Sequence, residues 1–258
     1  MPGFARRLPA LLAAAVMGLV GASPAGAAAP LSAWAGVVVA GDDQSAHSDT
    51  PTQAFDNARR DVAAALVARG FAAKNLSQFS LHPDRYPADH AARSEIGLIA
   101  RRLKALAEAA PGGCLVYITS HGSPDGVVVD DRIVPPPVVE AVARLGCGAR
   151  PTAVIISACF SGVFIPALAA PNRLVFTAAR RDRSSFGCGE SDRYPFFDGC
   201  VIANLPAARD FIDLADRVKA CVSDREDAEG MRPRSRPQLF VGPAFRAAMP
   251  PFGLAPSP

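Results

Sequence analysis

The chain has 258 residues, half of them apolar and a fifth charged, with a formal net charge of +3. This length suffices for one sizeable α/β domain with a proper core, and the composition excludes a disordered chain. The charge is too small and too dispersed, without a basic run interleaved with aromatics, for a protein that binds nucleic acid.

The N-terminus reads as an export signal over residues 1–27. Arg6 and Arg7 precede the apolar stretch Leu8 to Val20, and Ala25-Gly26-Ala27 offers a small-x-small cleavage site, with cutting after Ala27. An uncleaved anchor helix is the alternative, although the stretch is short for a span. Cleavage leaves one domain over residues 28–258, exported to the periplasm or secreted, with no stable membrane insertion. The charge and composition leave the oligomeric state open.

Gly36 to Ala40 is a short apolar run ending in Gly41-Asp42-Asp43, the pattern of a buried strand and turn. Thr50-Pro51 is expected to open a helix, with Thr50 as N-cap; Phe55, Ala58, Val62 and Leu66 recur at helical spacing and Gly70 stops it. A weaker strand follows at Leu76 to Leu81. The stripe Ile96, Ile99, Leu103 and Leu106 predicts a helix from about Ala91 to Ala109. Cys114 to Thr119 is a strand ending at Ser120-His121-Gly122. Val127 to Val129 and Arg132 to Val134 form a small hairpin, and a helix ends near Leu145-Gly146.

Ala153 to Ser157 is the next apolar strand, ending at Ala158-Cys159. A short helix over Val163 to Ala169 and a strand over Arg173 to Thr177 follow. Residues 180–198 read as a long polar loop, then come a helix from Ala207 to Val222 and a final strand at Gln238 to Val241. Strands alternating with helices predict a mainly parallel sheet covered on both faces. Ligands bind such sheets outside the carboxyl ends of the strands, where His121 and Cys159 both fall.

Six cysteines in an exported chain permit disulfides. If Cys159 is a working thiol, at least one other is left free or pairs between chains. Cys114 with Cys147, and Cys200 with Cys221, are the pairings the sequence offers. No Cys-x-x-Cys and no HExxH occur and only four His are present, so no metal or other cofactor is expected.

Neighbouring strands lie about 4.8 Å apart, so a His and a Cys at adjacent strand ends can face each other across a cleft. Cysteine attack needs a thiolate, and an imidazole can take the proton. The start of the following helix favours an anion at Cys159. The N–H groups of Cys159 and Gly122 are candidate donors to a developing oxyanion, and Gly122, lacking a Cβ, lets substrate approach the backbone. Each residue alone is more often structural: a Cys ending an apolar strand is usually a small buried side chain.

Tyr117-Ile118-Thr119-Ser120-His121-Gly122-Ser123 resembles the strand-then-His-Gly motif of the legumain family of cysteine peptidases. Ile156-Ser157-Ala158-Cys159-Phe160-Ser161-Gly162 resembles that family's nucleophile segment. Val175 to Ala179, running on to Ser184-Ser185-Phe186-Gly187-Cys188, is similar to its next strand and substrate loop. The likeness spans about Trp34 to Val241 and is nearest to the bacterial exported members. It implies a caspase-like α/β three-layer sandwich with a six-stranded, mainly parallel sheet, and acyl-enzyme chemistry on a peptide or protein substrate. His121 matches the general base, Cys159 the nucleophile and Gly122 the oxyanion-hole glycine. Ser184 and Ser185 match the Ser pair of the substrate loop, and Asp198 an acidic residue of the first specificity pocket.

The sequence departs from the family at Pro51 to Asn57, where the Arg that helps bind a substrate Asn has no counterpart. Asp42, Asp43, His47 and Asp49 occupy the loop before it, and its acidic residues, with Asp198, favour a basic residue at the cleavage position or are simply a solvated turn. Arg180, Arg181 and Arg183 in turn suit acidic substrates or solvent. The functions compatible with these residues are an endopeptidase, a transpeptidase or ligase using the same thioester, and a non-catalytic exported binding domain.

Overall fold

The computed structural model describes residues 28–253 other than His47, together with Met1 and Gly3. The rest of the expected leader over residues 1–27, and His47, lie outside the described residues.

In chain order the elements are β1 (Trp34–Ala40), α1 (Ala54–Ala68), β2 (Leu76–Ser80), β3 (Ala92–Arg93), α2 (Ile96–Ala109), β4 (Gly113–Thr119), β5 (Gly122–Ser123), β6 (Gly126–Val129), β7 (Arg132–Val134), α3 (Pro136–Cys147), β8 (Thr152–Ser157), α4 (Ile165–Leu168), β9 (Arg173–Thr177), α5 (Phe196–Asn204), α6 (Phe211–Ala228), β10 (Gln238–Val241) and α7 (Pro243–Ala248). The main sheet runs β10-β9-β8-β4-β1-β2-β3. All neighbours are parallel except β9 and β10. It thus has seven strands rather than the expected six. The extra one, β3, is a two-residue edge strand at a segment expected to be helical: Ser94 donates its hydroxyl to the Ala40 carbonyl at 2.6 Å, and α2 starts only at Ile96.

The central strands β1, β4 and β8 are buried along their whole length because both faces are covered. On β4 and β8 the period of two sends Leu115, Tyr117, Ala153 and Ile155 to one core with α1, α5 and α6. Val116, Ile118, Val154 and Ile156 pack with α2, α3 and α4 on the other. Both expected disulfides are present. Cys114–Cys147 ties β4 to the end of α3, and Cys200–Cys221 ties α5 to α6. Among the described residues no helix is long and apolar enough to cross a membrane.

Two sequence expectations give way. Thr50-Pro51 does not open α1: Pro51 bridges Gln44, the helix starts at Ala54, and the Thr52 hydroxyl accepts the Ala54 N–H at 3.2 Å. Part of the loop expected over residues 180–198 is already α5, a helix apolar over most of its circumference because it is wedged between the sheet and α6.

Candidate active site

Register decides where the two candidate residues stand. Thr119, the last residue of β4, pairs with Ser157, the last of β8. The Ser120 N–H continues this ladder to the Ser157 carbonyl at 3.0 Å. His121 and Cys159 therefore leave neighbouring strands from equivalent positions, at the same end of the sheet. Gly122 is required there because a Cβ would collide with the Cys159 carbonyl oxygen. The expectation that this bare backbone makes room for substrate is thus corrected on the Cβ side, where the nucleophile's own strand end fills the space. After Cys159 the chain turns sharply through Phe160, whose φ of 57° is left-handed and strained for an aromatic residue. The expected helix behind it is a 3-10 turn, Ser161–Phe164, followed by the single turn of α4.

Beneath these strand ends lies Asp198, fully buried at 0% exposure. Period-two alternation points Tyr117, Thr119 and Ser157 toward α5, and all three hydroxyls donate to the Asp198 carboxyl, at 2.5, 2.9 and 2.6 Å. Burial pushes this carboxyl up to about 6, against the opposing pull of the three donors, and raises Tyr117 well above the usual phenol range. The expectation of Asp198 as a specificity-pocket acid is corrected: α5 turns it under the sheet, its acceptors are taken, and it pins β4 and β8 together just before His121 and Cys159.

The rim is made of loops. His121 Nε2 lies 2.9 Å from the Gln44 carbonyl. A carbonyl only accepts, so this bond puts the imidazole proton on Nε2 and leaves Nδ1 as the basic nitrogen. Phe55 of α1 sets its ring edge-on against the imidazole, centroids 5.0 Å apart. Asp42 does not line the cleft. Its carboxylate accepts the N–H groups of Asp43 and Gln44, at 2.7 and 3.1 Å, and so shapes the turn that presents the Gln44 carbonyl. Asp43 is engaged with His82 at 2.5 Å.

Opposite, the Ser185 N–H donates to the Cys159 sulfur at 3.3 Å, and the Ser185 hydroxyl lies 3.6 Å away. The two rim loops are laced together: the Ala46 N–H donates to the Cys188 carbonyl at 3.0 Å, and the Thr52 hydroxyl to the Gly189 carbonyl at 2.9 Å.

His121, Cys159, Ser184 and Ser185 line one cavity of about 540 Å³, with Phe186, Cys188, Asp192, Phe196, Glu229 and Met231 among its other walls. Cys188 is unbridged. Burial above all, with the neighbouring Cys159 and Asp192, pushes its thiol up to about 12, which keeps it protonated at neutral pH. Sequence reasoning did not single out two groups at the cleft, the Gln44 carbonyl and Asp192. A main-chain carbonyl leaves no trace in residue type, whereas Asp192 was an acid in the same loop that could have been weighed against Asp198. Among the described residues no group of three or more His, Cys, Asp and Glu is placed to hold a metal ion.

The chain matches caspase-1 from Spodoptera frugiperda with a TM-score of 0.62 and 14% identity, covering 87% of this chain and 91% of that one. It matches pro-sf-caspase-1 with a TM-score of 0.56 and 12% identity, covering 81% and 86%. At such identities the likeness establishes the fold, and the molecule has the caspase-type architecture. Residues 97–206 match the model of the Peptidase C13 family, a stretch that contains both His121 and Cys159. No curated protein sequence gives a significant match. With this fold and this family match, the protein is a cysteine peptidase, similar over residues 97–206 to the Peptidase C13 family.

Proposed function

We propose that the protein is an endopeptidase in which Cys159 attacks the peptide carbonyl and His121 moves the protons. The Thr119–Ser157 register carries this reading, because it delivers both side chains to one cavity from adjacent strands. With Nε2–H held on Gln44, Nδ1 takes the Cys159 proton, and the sulfur bonds to the scissile carbonyl carbon. The N–H groups of Gly122 and Cys159 receive the oxyanion. The C–N bond then breaks, the amine leaving with the proton from His121. Water, deprotonated by the same imidazole, hydrolyses the thioester and frees the sulfur. An amine in place of that water gives transpeptidation. Export to an oxidising compartment is supported by the two disulfides.

Replacing Cys159 by Ala is expected to abolish both peptide cleavage and labelling by a peptide bearing a thiol-directed warhead; undiminished labelling refutes the mechanism. His121→Ala is expected to lower turnover by about 10²–10⁴-fold with an unchanged circular dichroism spectrum. Near-normal turnover means that another base operates.

A further inference from the structure

The charge of the cleft, set against its surroundings, indicates what it accepts. Among the described residues, the only ionisable side chains lining the cavity besides His121 and the two thiols are Asp192 and Glu229, and no Lys or Arg lines it. That is unexpected in a chain with an excess of basic residues, several of them nearby. Arg180 and Arg183 are turned onto Asp182, at 2.5 and 2.9 Å. Arg59, on α1, is buried and held by Asp56 and Asp89, at 2.8 and 3.0 Å.

The two acids are not equivalent. Glu229 is neutralised by Arg225 at 3.0 Å. Asp192 has no ion-pair partner among the described residues. One of its carboxylate oxygens accepts the Gly189 N–H at 2.8 Å, which fixes the group at the wall and leaves the other oxygen for a ligand. Asp42, behind the rim, adds its negative field: with Asp192 it disfavours ionisation of Cys188. Phe186, Phe196 and Met231 supply the apolar walls along which a long aliphatic stem lies while its charged head reaches an acid.

We infer that this cleft selects a Lys or Arg side chain at the residue whose carbonyl Cys159 attacks, with Asp192 as the carboxylate that receives its charge. The inference rests on the peptidase reading above and adds the substrate class. A neutral Asn in the same place finds no cationic side chain to hold its carbonyl, since the stretch Pro51 to Asn57, where the resemblance called for an Arg, holds none. An acidic residue meets like charge.

The test uses the mature protein and fluorogenic tripeptide amides, Ala-Ala-Xaa, with all amino acids at Xaa. Lys and Arg are expected to exceed Asn, Asp and Glu by at least about 10²-fold in kcat/KM, as a charged recognition of this kind is worth about 3 kcal/mol. Asp192→Asn keeps an oxygen for the Gly189 N–H while removing the charge. It is expected to lower kcat/KM for Lys and Arg peptides by about 30-fold or more, to leave those with neutral residues within a few-fold, and to leave alkylation of Cys159 by iodoacetamide at its original rate. Cys159-dependent cleavage that ignores the charge at Xaa, or an Asp192→Asn profile identical to the original, overturns the inference while the peptidase reading survives. If no peptide is cleaved in a Cys159-dependent way, the peptidase reading fails and takes the specificity with it.

Discussion

Asp192 and Asp198 are near neighbours in the sequence, yet they belong to two regions of the site built in different ways. Asp198 is on α5, in the floor, where sheet geometry leaves no freedom: it is sealed from solvent and saturated by Tyr117, Thr119 and Ser157. Asp192 is in the rim, where loops bond to one another by main chain and a carboxylate keeps an oxygen open to the cavity. The floor fixes the strand ends that carry His121 and Cys159, and in the proposed reading the rim selects what reaches them. An acid of either sort looks the same in a sequence; its role follows from whether its acceptors are already used.

Breaking the floor is expected to have the larger consequence. Asp198→Ala strands three buried hydroxyls and is expected to cost roughly 2–5 kcal/mol of stability. Turnover is expected to fall with it, because the ends of β4 and β8 lose their common anchor. Asp198→Asn keeps one acceptor oxygen and is expected to restore part of both. Thermal unfolding and kcat measured on the two variants decide; an Ala variant as stable as the original protein removes the anchoring role.

The same residue sharpens the contrast through pH. Its folded value of about 6 lies above the ordinary 3.8, so the folded protein holds the proton more tightly. The stabilisation is therefore fully present below about pH 4 and is lost as pH rises to about 6, a change on the order of 3 kcal/mol. Subtracting the Asp198→Asn curve from the original is expected to give a stability difference that falls between pH 4 and 6 and is flat above. A difference that rises instead means that the three hydroxyl donors outweigh the burial.

The smallest effect belongs to the rim. Asp42→Ala removes the acceptor for the Asp43 and Gln44 N–H groups, so the turn loosens at a cost of about 0.5–1.5 kcal/mol. Because it acts through the Gln44 carbonyl on His121, kcat is expected to drop while KM holds. A change confined to KM indicates direct contact with substrate instead.

Much of this could be read before any coordinates. The apolar runs at Gly36 to Ala40, Cys114 to Thr119 and Ala153 to Ser157 are strands because only a sheet covered on both faces buries every residue of such runs. His121 and Cys159 were conspicuous as polar residues ending two of them, and the Cys114–Cys147 pairing was legible from where its cysteines fell, each shortly before a strand. What escaped was set by contacts distant in sequence. Asp198 was assigned to the pocket on the resemblance, and the start of α5 was read as loop because a helix buried on most sides carries no amphipathic stripe. Thr50-Pro51 has the residues of a helix start, but pairing with Gln44 holds it in the rim loop.

The sequence alone determined the alternation of strands and helices, and hence which chemistry-bearing residues fall at strand ends, because hydrophobic period and turn residues are local properties of the chain. Tertiary structure alone decided that β4 and β8 are neighbours in the register that aligns Thr119 with Ser157, that Gln44 meets His121, and that Asp192 rather than Asp198 faces the cleft. Those outcomes depend on pairing and packing between segments far apart along the backbone, where the competition for each hydrogen-bonding group is settled only when all the partners are present.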